Sequence, residues 1–91
     1  MYELLFHPDA DAALSALETD RVQSGVLASI RGVLGHLERD AFNPRLGTRQ
    51  FQSPQYGHIR ATPATSNWFV LWQPGNAERS IEIVHIIELR L

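Results

Sequence analysis

The sequence predicts an α+β domain: an N-terminal strand, then a helical hairpin packed on a small antiparallel β-sheet. Three observations predict it. Tyr2–Phe6 has strand alternation, and residues 8–39 carry apolar side chains at helical spacing. After Asn43–Pro44 the chain becomes turn-rich and β-like to its end. Ninety-one residues hold one small hydrophobic core, so residues 1–91 are read as a single domain.

The elements follow in order. Glu3 alternates with Tyr2, Leu4 and the apolar residues after it, as in a strand. Pro8 suits the first position of a helix over Pro8–Glu18, with Asp9 and Asp11 in the turn where the helix dipole favours acids. Ala10, Ala13, Leu14 and Leu17 form its apolar stripe. Asp20 with Gln23 resembles a capping box that opens a second helix, Asp20–Arg39. That helix is expected to bury Val22, Val26, Ile30, Val33 and Leu37, widened by Leu27 and Leu34.

Gly25, Ser29, Gly32 and His36 run beside this face. A mid-helix glycine costs about 1 kcal/mol relative to alanine. Close approach by another backbone and simple tolerance by the helix both remain open explanations. Asn43–Pro44 stops the helix, because a residue before proline resists the helical region. Strands are expected over His58–Thr62, Trp68–Gln73 and Ser80–Leu89, with a Pro74–Gly75–Asn76 turn before the last. Strict alternation would put Ile81, Ile83, His85, Ile87 and Leu89 on one face of that strand and Glu82, Val84, Ile86, Glu88 and Arg90 on the other. Both faces carry β-branched residues, which predicts a central position in the sheet.

Composition limits the function classes. There is no cysteine, so disulfides and thiolate metal sites are excluded and a reducing compartment is expected. No apolar run reaches the roughly 20 residues of a spanning helix, and the N-terminus lacks a signal-peptide layout. A cytoplasmic, non-membrane protein is the expectation. The net charge of −2 does not mark a general nucleic-acid binder, but its distribution is uneven. Residues 1–40 carry seven acids and three arginines, whereas residues 41–77 carry Arg45, Arg49 and Arg60 and no acid. That acid-free segment is suited to face an anion. The chain contains no lysine.

The pieces "YELLFHPDADAALSAL", "LERDAFNPRLGTRQF", "YGHIRA", "NWFVLW" and "IEIVHIIELRL" together resemble the RelE/ParE toxin superfamily over nearly the whole chain. The short first helix is more similar to the RelE branch than to the ParE branch. The resemblance implies the toxin half of a type II toxin–antitoxin pair, neutralised by a cognate antitoxin protein. For the RelE branch it implies ribosome-dependent cleavage of mRNA and inhibition of translation, without a cofactor. The ParE branch implies DNA gyrase inhibition, and a catalytically silent relative would act through antitoxin binding alone. In RelE-like enzymes basic side chains of the sheet hold the RNA backbone while a 2′-hydroxyl attacks the adjacent phosphate.

Carried over by position, Arg49 stands where the family places a cation before the second strand, Arg60 lies on that strand and Arg90 follows the last one. Arg45, Arg49 and Arg60 are the implied RNA-binding residues. Arg49 and Arg60 would orient and neutralise the phosphate, and Arg90 would stabilise the transition state. His58 alternates onto the same strand face as Arg60, and histidine is the residue type suited to act as base or acid near neutral pH, so it is the proton-transfer candidate. The sequence departs from the family where Phe69 occupies an expected arginine position, and where no tyrosine follows the last strand.

Other residues have plainer readings. His85, among isoleucines, reads as a hydrogen-bonded core histidine, and His7 and His36 have no metal-ligand spacing, so no metal is expected. Trp68, Val70 and Trp72 share a strand face and read as core. Glu88 reads as a partner of Arg90 or Arg60. Arg21, Arg31 and Arg39 read as a solvated helix face.

Overall fold

A computed structural model describes residues 1–89. The elements are β1 (Glu3–Phe6), α1 (Pro8–Glu18), α2 (Ser24–Asp40), β2 (Arg49–Ser53), β3 (Gly57–Pro63), β4 (Trp68–Pro74) and β5 (Ser80–Glu88). Single 3₁₀ turns at Arg21–Gln23 and Pro44–Leu46 join the larger pieces. No helix among the described residues is long and apolar enough to cross a membrane.

Pro8 occupies the first turn of α1, and Ala10 and Leu17 are its buried positions. The Asp20 carboxylate accepts the Val22 N–H at 3.0 Å, and so caps the 3₁₀ turn. This corrects the expected helix start, since α2 opens only at Ser24. The tighter turn takes Val22 out of phase with the apolar stripe, leaving it 91% exposed. Ile30, Val33, Leu34 and Leu37 do form the buried face of α2. A Cβ built at Gly25 or Gly32 would meet nothing within 4 Å, so no backbone packs closely there and the helix simply tolerates them.

The sheet order is β1-β5-β4-β3-β2, and β5 lies inside it with partners on both sides, as its apolar faces predicted. The sheet is mixed rather than wholly antiparallel. The chain leaves β1 through two helices and three strands before β5 pairs with it, and that crossover lays them parallel, Glu3 beside Ser80 and Phe6 beside Ile83. β2 was not anticipated, because Arg49–Ser53 is polar and almost wholly exposed, as an edge strand can be.

The sheet has two apolar faces. On the helical side Ile81, Ile83, Ile86, Val70 and Trp72 pack against Ile30, Leu37 and their neighbours. On the other side Ile59, Leu71 and Val84 form a smaller cluster with Tyr56, Phe69 and Ile87. Strict alternation along β5 fails at one place. Leu71 pairs with His85 and Trp72 with Ile83, so Val84 is an extra residue in the ladder. This bulge reverses the parity, moving Ile86 to the helical face and Ile87 to the opposite one.

Trp72 is 0% exposed, so its indole N–H needs an internal acceptor. Nε1 donates to the Thr62 hydroxyl at 2.9 Å, and Thr62 in turn meets the Thr48 hydroxyl at 2.6 Å. Thr62→Val should orphan the indole N–H and cost about 1–3 kcal/mol. Urea unfolding measures it, with Thr48→Val as the comparison. Thr48 is less buried and does not accept from the indole, so its loss should be smaller.

Candidate functional site

β3 sorts its side chains by alternation. Arg60 and Thr62 face the helices with His58, and Ile59 and Ala61 face the opposite cluster. α2 ends at Asp40, and Ala41 is buried behind it. The Asn43 side chain then accepts the Arg45 N–H at 3.0 Å, which shapes the Pro44–Leu46 turn. Phe42 is thereby held between helix and turn, 52% exposed. Its ring meets Tyr2 at 6.1 Å and Trp72 at 5.6 Å, both edge-on.

The Arg60 guanidinium carbon lies 5.3 Å from the Phe42 ring centre and 5.5 Å from that of Trp72, within cation–π range of both. Arg79 stands 5.4 Å from the Tyr2 ring centre at the far end of the same aromatic row. A cavity of about 150 Å³ opens here, lined by Phe42, Asn43, Thr48, Gln50, Arg60 and Trp72 with Ala41 and Pro44. Among the described residues no carboxylate forms an ion pair with Arg60.

His58 and Arg60 therefore share a face, two residues apart, a separation of roughly 7 Å along a strand. The Gln52 side-chain amide donates to His58 Nε2 at 3.0 Å, which leaves the neutral ring its proton on Nδ1. Arg49 is not brought to them. It pairs directly with Ala61, so it projects from the opposite face, where it lines a cleft with Ala61, Pro63 and Phe69. Arg45 lies in the exposed turn. Arg90 falls outside the described residues.

The face away from the helices carries a second polar group. His7 Nε2 and the Glu82 carboxylate meet at 2.7 Å, and Gln73 donates to the same oxygen at 3.3 Å. The hydrogen bonds from His7 and Gln73 hold Glu82 below its ordinary value of 4.5. The Tyr56 hydroxyl donates to Asp9 at 2.8 Å, tying the β2–β3 turn to the start of α1, and that bond raises the Tyr56 pKa. His85 is half-buried at the bulge, and its Nδ1 accepts the adjacent Ile86 N–H at 2.9 Å. Glu88 accepts from the Asn67 amide at 2.9 Å. Among the described residues no three His, Asp or Glu side chains are grouped to hold a metal.

The sequence reading missed Phe42, Asn43, Thr48 and Gln50 as neighbours of Arg60. All of them lie in the acid-free segment, which was the signal available. Pairing β2 with β3 is what brings Gln50 beside Arg60.

No protein-family model matches the sequence, and no curated protein matches it. Solved structures do resemble it. The YoeB/ParE toxin from Agrobacterium tumefaciens superposes with a TM-score of 0.75 at 7% identity, over 98% of this chain and 99% of that one. The YoeB-YefM complex from Staphylococcus aureus gives 0.73 at 12% identity, over 100% and 99%. The archaeal RelE-RelB complex from Pyrococcus horikoshii gives 0.70 at 11% identity, over 96% and 93%. The chain has the RelE/ParE-like α+β fold along its whole length.

The His7–Glu82 contact has a pH signature. A lowered folded pKa means the carboxylate contributes stability that is fully present above about pH 4.5 and is lost as pH falls through the folded value. Thermal midpoints measured from pH 7 to pH 3 should therefore fall more steeply for the wild type than for Glu82→Gln below pH 4.5. Parallel curves would mean that the contact contributes nothing.

Proposed function

We propose that this chain is the toxin of a toxin–antitoxin pair, held inactive by a cognate antitoxin, and that it stops translation by cutting mRNA on the ribosome. The single observation that carries the toxin reading is the full-length fold shared with YoeB and RelE toxins, two of them in complex with YefM and RelB. The RNA-directed part is supported by the pairing of His58 with Arg60 on one face, inside a segment without acids. The activity belongs in the cytoplasm, where ribosomes and transcripts are.

In this reading the scissile phosphate sits against the outward edge of the Arg60 guanidinium, whose charge stabilises the oxygens as negative charge builds. His58 Nε2, released from Gln52, takes the proton of the 2′-hydroxyl. The 2′-oxygen bonds to phosphorus as the bond to the 5′-oxygen breaks, and the departing oxygen is protonated from water or a general acid. Arg45 and Arg49 serve the flanking backbone. β2 is the last strand of the sheet, so an RNA strand crossing its edge reaches Arg49 on the far face. Arg90 is proposed to add a further cation to the transition state.

Brief expression of the chain alone in a bacterial host tests the proposal, with transcripts mapped by primer extension. New 5′ ends inside translated regions are expected. Arg60→Ala should reduce them about 10²–10³-fold, and Arg49→Ala should weaken RNA binding and its salt dependence more than the cutting step. Arrested growth with whole transcripts and an induced DNA-damage response would transfer the toxin to a gyrase target. Normal growth with the protein accumulated would leave antitoxin binding as its role.

A further inference from the structure

We infer that the open edge of β1 docks a second copy of this chain. The two β1 strands pair antiparallel about a two-fold axis at Leu5 and join two five-stranded sheets into one. This pairing does not depend on the RNA-directed reading. β1 and β2 are the two ends of the sheet, and they are not alike. β2 carries Arg49, Gln50, Gln52 and Ser53, the charged and polar side chains that keep an open edge from sticking. β1 reads Glu-Leu-Leu-Phe, with no lysine, proline or bulge inside it. Leu5 is 42% exposed and Phe6 37%.

The free backbone groups set the register. Successive peptide groups of a strand point to opposite sides of it. The Glu3 N–H donates to the Arg79 carbonyl at 2.8 Å and the His7 N–H to the Ile83 carbonyl at 2.9 Å. Glu3, Leu5 and His7 therefore serve β5, and Leu4 and Phe6 point outward. Tyr2 points outward too, but its N–H is occupied by the Glu38 carbonyl at 2.7 Å, and Pro8 has no N–H to give. Only one antiparallel register uses every free donor: Leu4 of each copy exchanges both bonds with Phe6 of the other. Leu5 then faces its own counterpart across the axis. Glu3 stands opposite His7 of the second copy, so no carboxylate meets a carboxylate.

This closure selects a second copy over a flexible peptide. A disordered segment would lose conformational entropy at every residue it ordered along β1, in return for the same short ladder. A second copy brings its strand already formed. It also covers apolar surface on both faces of the joint. The two Leu5 side chains meet where facing residues approach most closely, and each Phe6 lies beside Leu4 of the other copy, at the border of the helical core.

Sedimentation velocity of the purified chain across the micromolar range tests the pairing, and the 10.3 kDa species should give way to one of twice that mass. Leu5→Lys sets two ammonium groups against each other at the axis and should weaken the dimer at least about tenfold. Its far-UV spectrum should stay that of the wild type, because Leu5 is exposed. Phe51→Lys makes the same kind of change on the β2 edge and should leave the dimer intact. Single cysteines report the register whatever Leu5→Lys does to the fold, since the chain has no other cysteine. Facing Cα atoms of a non-hydrogen-bonded pair stand about 4.5 Å apart, within disulfide reach, so Leu5→Cys should oxidise to a covalent dimer. Two Phe6→Cys residues would lie about 8–9 Å apart and should not. A monomer throughout, a dimer indifferent to Leu5→Lys, or equal crosslinking of Leu5→Cys and Phe6→Cys would overturn the pairing.

Discussion

One buried indole joins the fold to its site. Trp72 sits in the centre of the sheet with no solvent contact, so its N–H has to find an acceptor inside the protein. Thr62 provides it, and Thr62 can do so only because β3 pairs with β4 in the register that sets Thr62 opposite Val70 and Arg60 opposite Trp72. The same register lays Arg60 over the Trp72 ring. The ring then supports Phe42, which in turn contacts Tyr2 at the start of the chain. A polar requirement in the core thus determines where an arginine and an exposed aromatic stand on the surface.

The second constraint is that the middle of the sheet is apolar on both sides. β5 meets it with an extra residue, Val84, which lies in the smaller cluster and moves Ile86 onto the helical core and Ile87 onto the opposite face. The hairpin of β2 and β3 extends beyond this doubly covered centre, and its two faces become chemically different. One carries His58, Arg60 and Gln50, the other Arg49 and Phe51. Two arginines that are near in sequence are thereby separated by the thickness of the sheet. A single anion cannot lie against both side chains.

The fold was legible because it rests on local patterns: Pro8 at a helix start, the stripe ending at Leu37, the Asn43–Pro44 stop and the doubly apolar β5. What escaped the sequence was non-local or out of phase. Val22 fits the helical stripe by spacing, and only the turn capped by Asp20 removes it. β2 is polar because it is an edge, so its composition looks like a loop. The parallel pairing of β1 leaves no mark in either strand. The arrangement of the candidate residues was half legible. His58 and Arg60 share a face by alternation alone, whereas the place of Arg49 depends on a strand pairing that spacing does not reveal. Phe42 reads as a loop residue until Trp72 and Tyr2 are seen to hold it.

The most direct measurement is an amide chemical-shift map of the isotopically labelled chain titrated with a non-cleavable single-stranded RNA. If the working face is the one organised by Trp72, the largest shifts will fall at Phe42, Gln50, His58 and Arg60. Largest shifts at Ala61, Phe69, Leu71 and Ile87 would place the RNA on the opposite face and contradict that assignment.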